Sequence, residues 1–228
     1  MIKKIIKAVS YYFYSIYQLV IYSSFWKIPL VLISRPQIYR IKNQRFYVWT
    51  LLDIWTLKEV ILDDCYLANF KNQIDKKLQN VIDIGTGIGD FAIQISPFAK
   101  RVYSFDLDKN RITLAKKNLS LNKITNVILQ QRKITGLDDL FLEFSLKRCD
   151  LLKCDCEGNE YLIFANCKNK NFRKIKLICM EIHLFNEKMI TQYRNLKKKL
   201  IKNGFTLKEF DNPVHSYLKF LYAVGHDS

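Results

Sequence analysis

The sequence is short of acidic residues and lacks several patterns that would assign a chemistry directly. Against 37 Lys and Arg it sets 21 Asp and Glu, leaving a formal net charge of +16. A field of that sign favours anionic partners, whether nucleic acid, acidic lipid or acidic glycan, and does not choose among them; the same lysines also serve as solubilising surface. Six cysteines occur: Cys65, Cys149, Cys154, Cys156, Cys167 and Cys179. No two are spaced as C-x-x-C, and no His/Cys spacing matches a zinc site, so no metal-ligand set is expected. The thiols read instead as buried and free, in a reducing, cytoplasmic compartment. There is no internal repeat and no low-complexity tract. Disorder is excluded for the bulk of the chain, because 49% hydrophobic content over 228 residues can build one sizeable core, with room for an appended segment.

Charge is also missing locally. Ala8 to Trp26 carries none, while Ile2, Ile5, Ile6, Val9, Phe13, Ile16 and Val20 recur at helical spacing. The stretch is rich in Tyr, Ser and Gln, is flanked by lysines, and is interrupted by Lys27 and Pro29. Three readings stand: a helix packed on the main domain that buries its aromatics there, a peripheral membrane contact through residues 1–33, and a marginal membrane span. No small-residue cleavage pattern marks a secretory signal.

The chain divides into a helical, aromatic extension, residues 1–79, and a second part, residues 80–228. In the first, Val48–Tyr66 reads as one helix. In the second, strands and helices alternate. Strands are expected over Val81–Ile84, Arg101–Phe105, Asn126–Gln131, Asp150–Cys156 and Lys174–Ile182, with Phe205–Phe210 and Tyr217–Val224 as a closing pair. That alternation predicts an α/β fold: an open, mainly parallel sheet with helices on both faces. In such sheets ligands bind beyond the carboxyl ends of the strands, where strand order reverses.

Three strand ends carry the candidate chemistry. After the first comes Asp83-Ile-Gly85-Thr-Gly87-Ile-Gly89-Asp90. Glycine permits a sharp turn and close backbone approach to a ligand. The third Gly or Ala of a dinucleotide fingerprint is missing, since Asp90 stands there, and Asp83 would repel a pyrophosphate but suit a cationic ammonium. An ordinary capped turn remains the alternative. Asp106 ends the second strand, at an offset suited to a ribose-binding acid, and Asp108 suits a helix cap. On the fourth strand, alternation puts Lys153, Asp155 and Glu157 on one face, as an ion-paired anchor or a functional cluster.

Taken together, Val81–Phe91, Val102–Asp108, Leu137–Leu140, Asp150–Glu160 and Met180-Glu-Ile-His183, with Thr56-Leu-Lys-Glu59 and Tyr66 ahead of them, resemble the FkbM-type methyltransferases. The resemblance runs from about Thr56 to His183. It implies a Rossmann-like class I methyltransferase fold with seven strands, the last antiparallel, and S-adenosylmethionine (S-adenosyl-L-methionine) as methyl donor. It gives Asp83, Gly85 and Gly87 the cofactor-loop roles and Asp106 the ribose role, and sets Asp155 and Glu157 at the mouth between donor and acceptor. The sequence departs from the family in Thr86-Gly87, where Ala-Asn is common, in Asp106 where Glu is usual, and in Gln130-Gln131-Arg132, which lacks an acid near the adenine. O-methylation of a glycan, a lipid-linked sugar or a secondary metabolite is the default activity, with Glu157 or Asp155 as base and His183 as the next candidate. Two other readings remain. One is an RNA methyltransferase, suggested by the charge and by Lys197-Lys-Lys199, although no N-P-P-Y motif follows the fourth strand. The other is a binding module that keeps the fold without catalysis.

Overall fold

The computed structural model describes residues 2–34, 36–74 and 77–225, with side chains from residue 6 onward. The chain opens with a long helix, α1 (Ile2–Tyr22), a short 3-10 turn (Phe25–Lys27) and α2 (Ile28–Ile33). A hairpin of β1 (Gln37–Ile41) and β2 (Gln44–Val48) follows. Next comes α3 (Leu51–Leu57), which runs on as one π-helical segment (Lys58–Leu62). The sequence reading, a single helix over Val48–Tyr66, missed both the hairpin and this change of pitch. Helix α3 starts where it does because Thr50 and Asp53 form a capping box.

From β3 (Leu78–Ile84) the expected alternation appears: α4 (Asp90–Ile95), β4 (Ala99–Asp106), α5 (Lys109–Leu121), β5 (Val127–Gln131), α6 (Asp138–Glu143) and β6 (Cys149–Cys154). It continues with α7 (Glu160–Ala165), α8 (Asn169–Phe172), β7 (Ile175–His183), α9 (Glu187–Lys202), β8 (Phe205–Asp211) and β9 (Leu218–Gly225). The seven strands from β3 onward form one sheet in the order β5-β4-β3-β6-β7-β9-β8. The β3–β4, β4–β5, β3–β6 and β6–β7 pairs are parallel, while β9 runs antiparallel to both neighbours. This is the sheet expected from the resemblance. Strand order reverses between β3 and β6, which places the switch point at the ends of these two strands.

Both sheet faces are covered, so the central strands are buried throughout rather than alternating. On one face Val81, Val102, Leu151 and Leu177 pack with Ile93 and Leu114 of α4 and α5, and with Tyr39, Phe46, Leu57 and Phe70 from the N-terminal part. On the other, Ile82, Phe105, Leu152 and Ile178 pack with Phe141, Phe164 and Leu196 of α6, α7 and α9. One core therefore draws on residues from both sides of residue 79. All six cysteines are free; Cys65 and Cys156 are half-buried and the others buried.

Helix α1 overturns the expectation that its aromatics pack inward. Among its described side chains only Ser15, Gln18 and Leu19 are buried, while Phe13 is 73% exposed and Val9, Ile16, Tyr17 and Val20 also face out. The inward side is polar because it meets charged groups: the Tyr11 hydroxyl donates to Asp63 at 3.1 Å and to Glu59 at 3.3 Å. Among the described residues, no helix is long and apolar enough to cross a membrane.

Candidate active site

The glycine-rich turn is built from the end of β3. Gly85, Gly87 and Gly89 all take positive φ, at +79°, +55° and +85°. The requirement is strictest at Gly85, where a Cβ would stand 1.7 Å from the Asp155 carbonyl oxygen. The turn is therefore pressed directly onto the segment that follows β6. The Asp155 amide donates to the Ile84 carbonyl at 3.0 Å, closing the same contact from the other side. Gly87 meets no such obstacle, the nearest atom to its Cβ position being Asp90 Oδ1 at 3.9 Å.

Asp83 does not reach the cleft directly. Its carboxylate is fully buried, accepts from Ser104 at 3.2 Å and lies 3.5 Å from the Lys153 ammonium. Lys153 also donates to the Gly85 carbonyl at 2.5 Å and stands 3.9 Å from Asp155. Burial alone would drive Lys153 towards neutrality, but the carboxylates of Asp83, Asp155 and Asp90 outweigh it and hold the ammonium above its ordinary range. Lys153 is thus a buried cation that ties the glycine turn to two strand ends. Asp90 itself, the first residue of α4, is pushed up to about 6, mainly by burial and against the pull of Lys153.

Asp106, the candidate ribose acid, ends β4 at the cleft. One carboxylate oxygen accepts from the Gly87 amide at 2.9 Å and the other from the Asp108 amide at 2.9 Å. These bonds fix the carboxylate at the lip of a cleft of about 310 Å³, lined among others by Gly85, Leu107, Ile134, Asp155 and Asn159. Asp108 caps α5 by accepting from the amides of Asn110 and Arg111. The cleft lies at the switch point, at the lower end of the ~300–1,000 Å³ usual for small-molecule sites. Its donor set fits S-adenosylmethionine: a half-exposed carboxylate with acceptor capacity left for ribose hydroxyls, and a glycine turn for the amino-acid end. No acid lines the β5 side, where Arg132 and Lys133 stand instead.

The expected face of Lys153, Asp155 and Glu157 is only partly realised. Strand β6 ends at Cys154, and the chain turns through Glu157 at φ +51° and Gly158 at φ +100°. Alternation therefore stops before Glu157, which is exposed to solvent at the rim of the same cleft and lies 3.4 Å from His183 Nε2. Asp155 stays inside. It accepts from the Tyr66 hydroxyl at 2.8 Å, and Tyr66 also approaches Glu181 Oε2 at 3.5 Å.

Glu181 is the residue that sequence reading did not assign to the site. Burial, then the charge of Asp155, push its carboxyl up to about 8, against the pull of His183 and Lys153. The available signal was a single acid inside the apolar run of β7. Its meaning depends on register: Cys154 pairs with Met180, which brings the residues after each, Asp155 and Glu181, side by side. Tyr66, named only as part of a motif, closes the group from the segment before β3.

His183, the other candidate base, stands among acids. Burial would lower it, but its Nδ1 bonds Glu160 Oε1 at 2.6 Å, and the charges of Glu160, Asp155 and Glu181 add to this, so it is held up to about 9. These contacts favour the charged imidazolium and set the ring between Glu160 and Glu157. It ties the end of β7 to α7 through Glu160 and to the loop after β6 through Glu157.

Comparison with known proteins agrees with this geometry. The model of the methyltransferase FkbM domain matches residues 66–207, more than half of the chain. A ribosomal protein L11 methyltransferase of Anoxybacillus flavithermus is 27% identical over 135 residues, 59% of this chain and 40% of the relative, so the chain spans well under half of that protein. An rRNA methylase from Streptococcus thermophilus superposes with a TM-score of 0.54 at 15% identity, over 69% of this chain and 92% of that one. A Streptococcus mutans protein solved in complex with SAH gives 0.55 at 16% identity, over 68% and 93%. These two likenesses show the fold. With the matched domain spanning the glycine turn, Asp106, Asp155, Glu181 and His183, the chain belongs to the FkbM methyltransferase family.

Proposed function

We propose that the protein transfers a methyl group from S-adenosylmethionine to a hydroxyl of a glycan, a lipid-linked sugar or another small acceptor, with Glu181 as general base. The observation that carries this reading is the Asp155–Tyr66–Glu181 group beside the cofactor cleft, with one carboxyl raised to about 8. When bound, S-adenosylmethionine supplies an electrophilic methyl on a sulfonium and leaves as S-adenosylhomocysteine, the SAH held by the S. mutans neighbour. Asp106 would accept from the ribose hydroxyls, and the glycine turn would take the amino-acid end. Glu181 would remove the acceptor hydroxyl's proton as the oxygen bonds to the methyl carbon. A carboxyl near 8 is matched to that task, because proton transfer is most efficient when the base titrates near working pH. Tyr66 and Asp155 orient Glu181, and Lys153 and His183 balance the negative charge. Correct alignment of acceptor and donor adds to this through proximity.

RNA methylation is the second reading. It is favoured by the +16 charge and by the fold likeness to an rRNA methylase. The basic run at 197–199 lends it little, because Lys197 pairs with Glu209 and Lys199 donates to the carbonyls of Phe164, Ala165 and Cys167. Calorimetry with S-adenosylmethionine tests the shared premise: binding is expected, and Asp106→Ala should weaken it about tenfold or more, as loss of hydrogen bonds to a charged acceptor does. Absence of binding, or an unaffected Asp106→Ala, overturns the cofactor assignment. Transfer of labelled methyl to a glycolipid extract supports the first reading, transfer to an RNA extract supports the second, and cofactor binding without transfer to either supports a binding module.

A further inference from the structure

Helix α1 is inside out for a globular protein. An amphipathic helix on a soluble domain turns its apolar stripe to the core. Here Ser15 and Gln18 are buried, while the stripe of Ile6, Val9, Phe13, Ile16 and Val20 faces away from the protein. The 3-10 turn and α2 extend the same character, with Trp26 70% and Ile33 82% exposed and Leu32 also out. An apolar surface of this extent is a docking surface rather than scattered exposure.

Its charge identifies the occupant. The first 52 residues contain eight Lys and Arg and no Asp or Glu. Lys7 is exposed at one end of the apolar stripe, and Lys27 lies at the other, its ammonium 5.3 Å from the Trp26 ring centre. A second copy would set equal positive charges against each other, on molecules that each carry +16. A bilayer with acidic headgroups meets both requirements at once, since it accepts the apolar face and attracts the lysines. The exposed aromatics suit that depth: Tyr12, Tyr14, Tyr17, Tyr22 and Trp26 have apolar bodies and polar tips, which partition to the headgroup boundary. The polar side of α1 stays on the protein through Tyr11, over whose ring the buried Lys58 ammonium sits at 4.0 Å.

We propose that α1, the 3-10 turn and α2 form an in-plane seat that docks the protein on an anionic bilayer surface. The seat is independent of the acceptor chemistry proposed above. The test is flotation of the full chain with vesicles of phosphatidylcholine and phosphatidylglycerol in equal parts, and with phosphatidylcholine alone. The protein should float with the anionic vesicles, and less well in high salt or with the neutral lipid. The double variant Phe13→Glu/Trp26→Glu should lose about tenfold or more of the bound fraction. Both side chains are exposed, so its circular dichroism and S-adenosylmethionine affinity should be unchanged, which separates loss of docking from loss of the fold or the cofactor site. A wild-type chain that stays at the bottom with anionic vesicles, or a double variant that floats as well as wild type, overturns the proposal. So does a wild-type dimer in light scattering that the double variant turns into a monomer without any vesicle binding, since the face would then belong to a second copy.

Discussion

Replacing Glu181 by Gln should make the protein more stable at alkaline pH while removing its activity. The Glu181 carboxyl stands at about 8, against 4.5 for the ordinary group. Between those values the unfolded chain releases this proton and the folded chain keeps it. A folded-state value raised on an acid therefore costs stability as pH rises, from nothing below about 4.5 to the full amount above about 8. At about 1.4 kcal/mol per unit, the span sets a ceiling of about 5 kcal/mol. Sharing of the titration with Asp155, His183 and Lys153 brings the net effect to the order of 1–3 kcal/mol. Glutamine has no proton to lose, so the variant escapes this cost. For a chain of this size 1 kcal/mol moves Tm by about 2–4 °C, so thermal unfolding at pH 9 should show Glu181→Gln higher by several degrees, narrowing to no difference near pH 4. Methyl transfer by the wild type should rise with pH towards about 8, and the variant should fall by about 10²–10⁴. Equal melting curves at pH 9, or a variant that retains activity, would refute the assignment of Glu181 as a base whose carboxyl is raised by its surroundings.

Two further substitutions probe the scaffold of the site. Gly85→Ala puts a Cβ 1.7 Å from the Asp155 carbonyl oxygen, so calorimetry should show cofactor binding abolished; Gly87→Ala meets only its positive φ, about 1–2 kcal/mol of backbone strain, and should still bind. Lys153→Met leaves Asp83 and Asp155 without their shared cation, and denaturant unfolding should show a loss of about 3–5 kcal/mol; adding Asp83→Asn should recover part of it, whereas strict additivity would contradict the pairing.

Much of the sheet was legible because each strand is a short apolar run with a polar or glycine turn behind it. The positions of the glycine turn and Asp106 were legible for the same reason: each follows directly from one strand end. What escaped depended on contacts distant in sequence. Glu181 gains its meaning only from the β6–β7 register, which no local pattern encodes. Glu157 does not share a strand face with Lys153, because β6 ends at Cys154 and the backbone turns to positive φ at Glu157. The hairpin has a clean alternation, with Tyr39, Ile41, Phe46 and Val48 buried. It hid because its turn uses Lys42 at φ +48° followed by Asn43, with no glycine or proline to mark it. Helix α1 was legible in period but not in direction. Periodicity shows that a helix has two faces, not which of them meets the protein.

The hairpin also has an unusual neighbour. Asn118 on α5 and Asn122, the residue that caps its C-terminus, lie four residues apart. Asn118 accepts from the Tyr47 amide and donates back to the Tyr47 carbonyl, and Asn122 does the same with Arg45. Two side-chain amides thus imitate successive peptide groups of an adjoining strand, and they close the free edge of β2 without any backbone alongside it. The seal is only as durable as those amides. Deamidation at either position would set a carboxylate oxygen against a main-chain carbonyl and reopen the edge. Chemical ageing of two asparagines is therefore a route by which an intact fold begins to associate strand to strand.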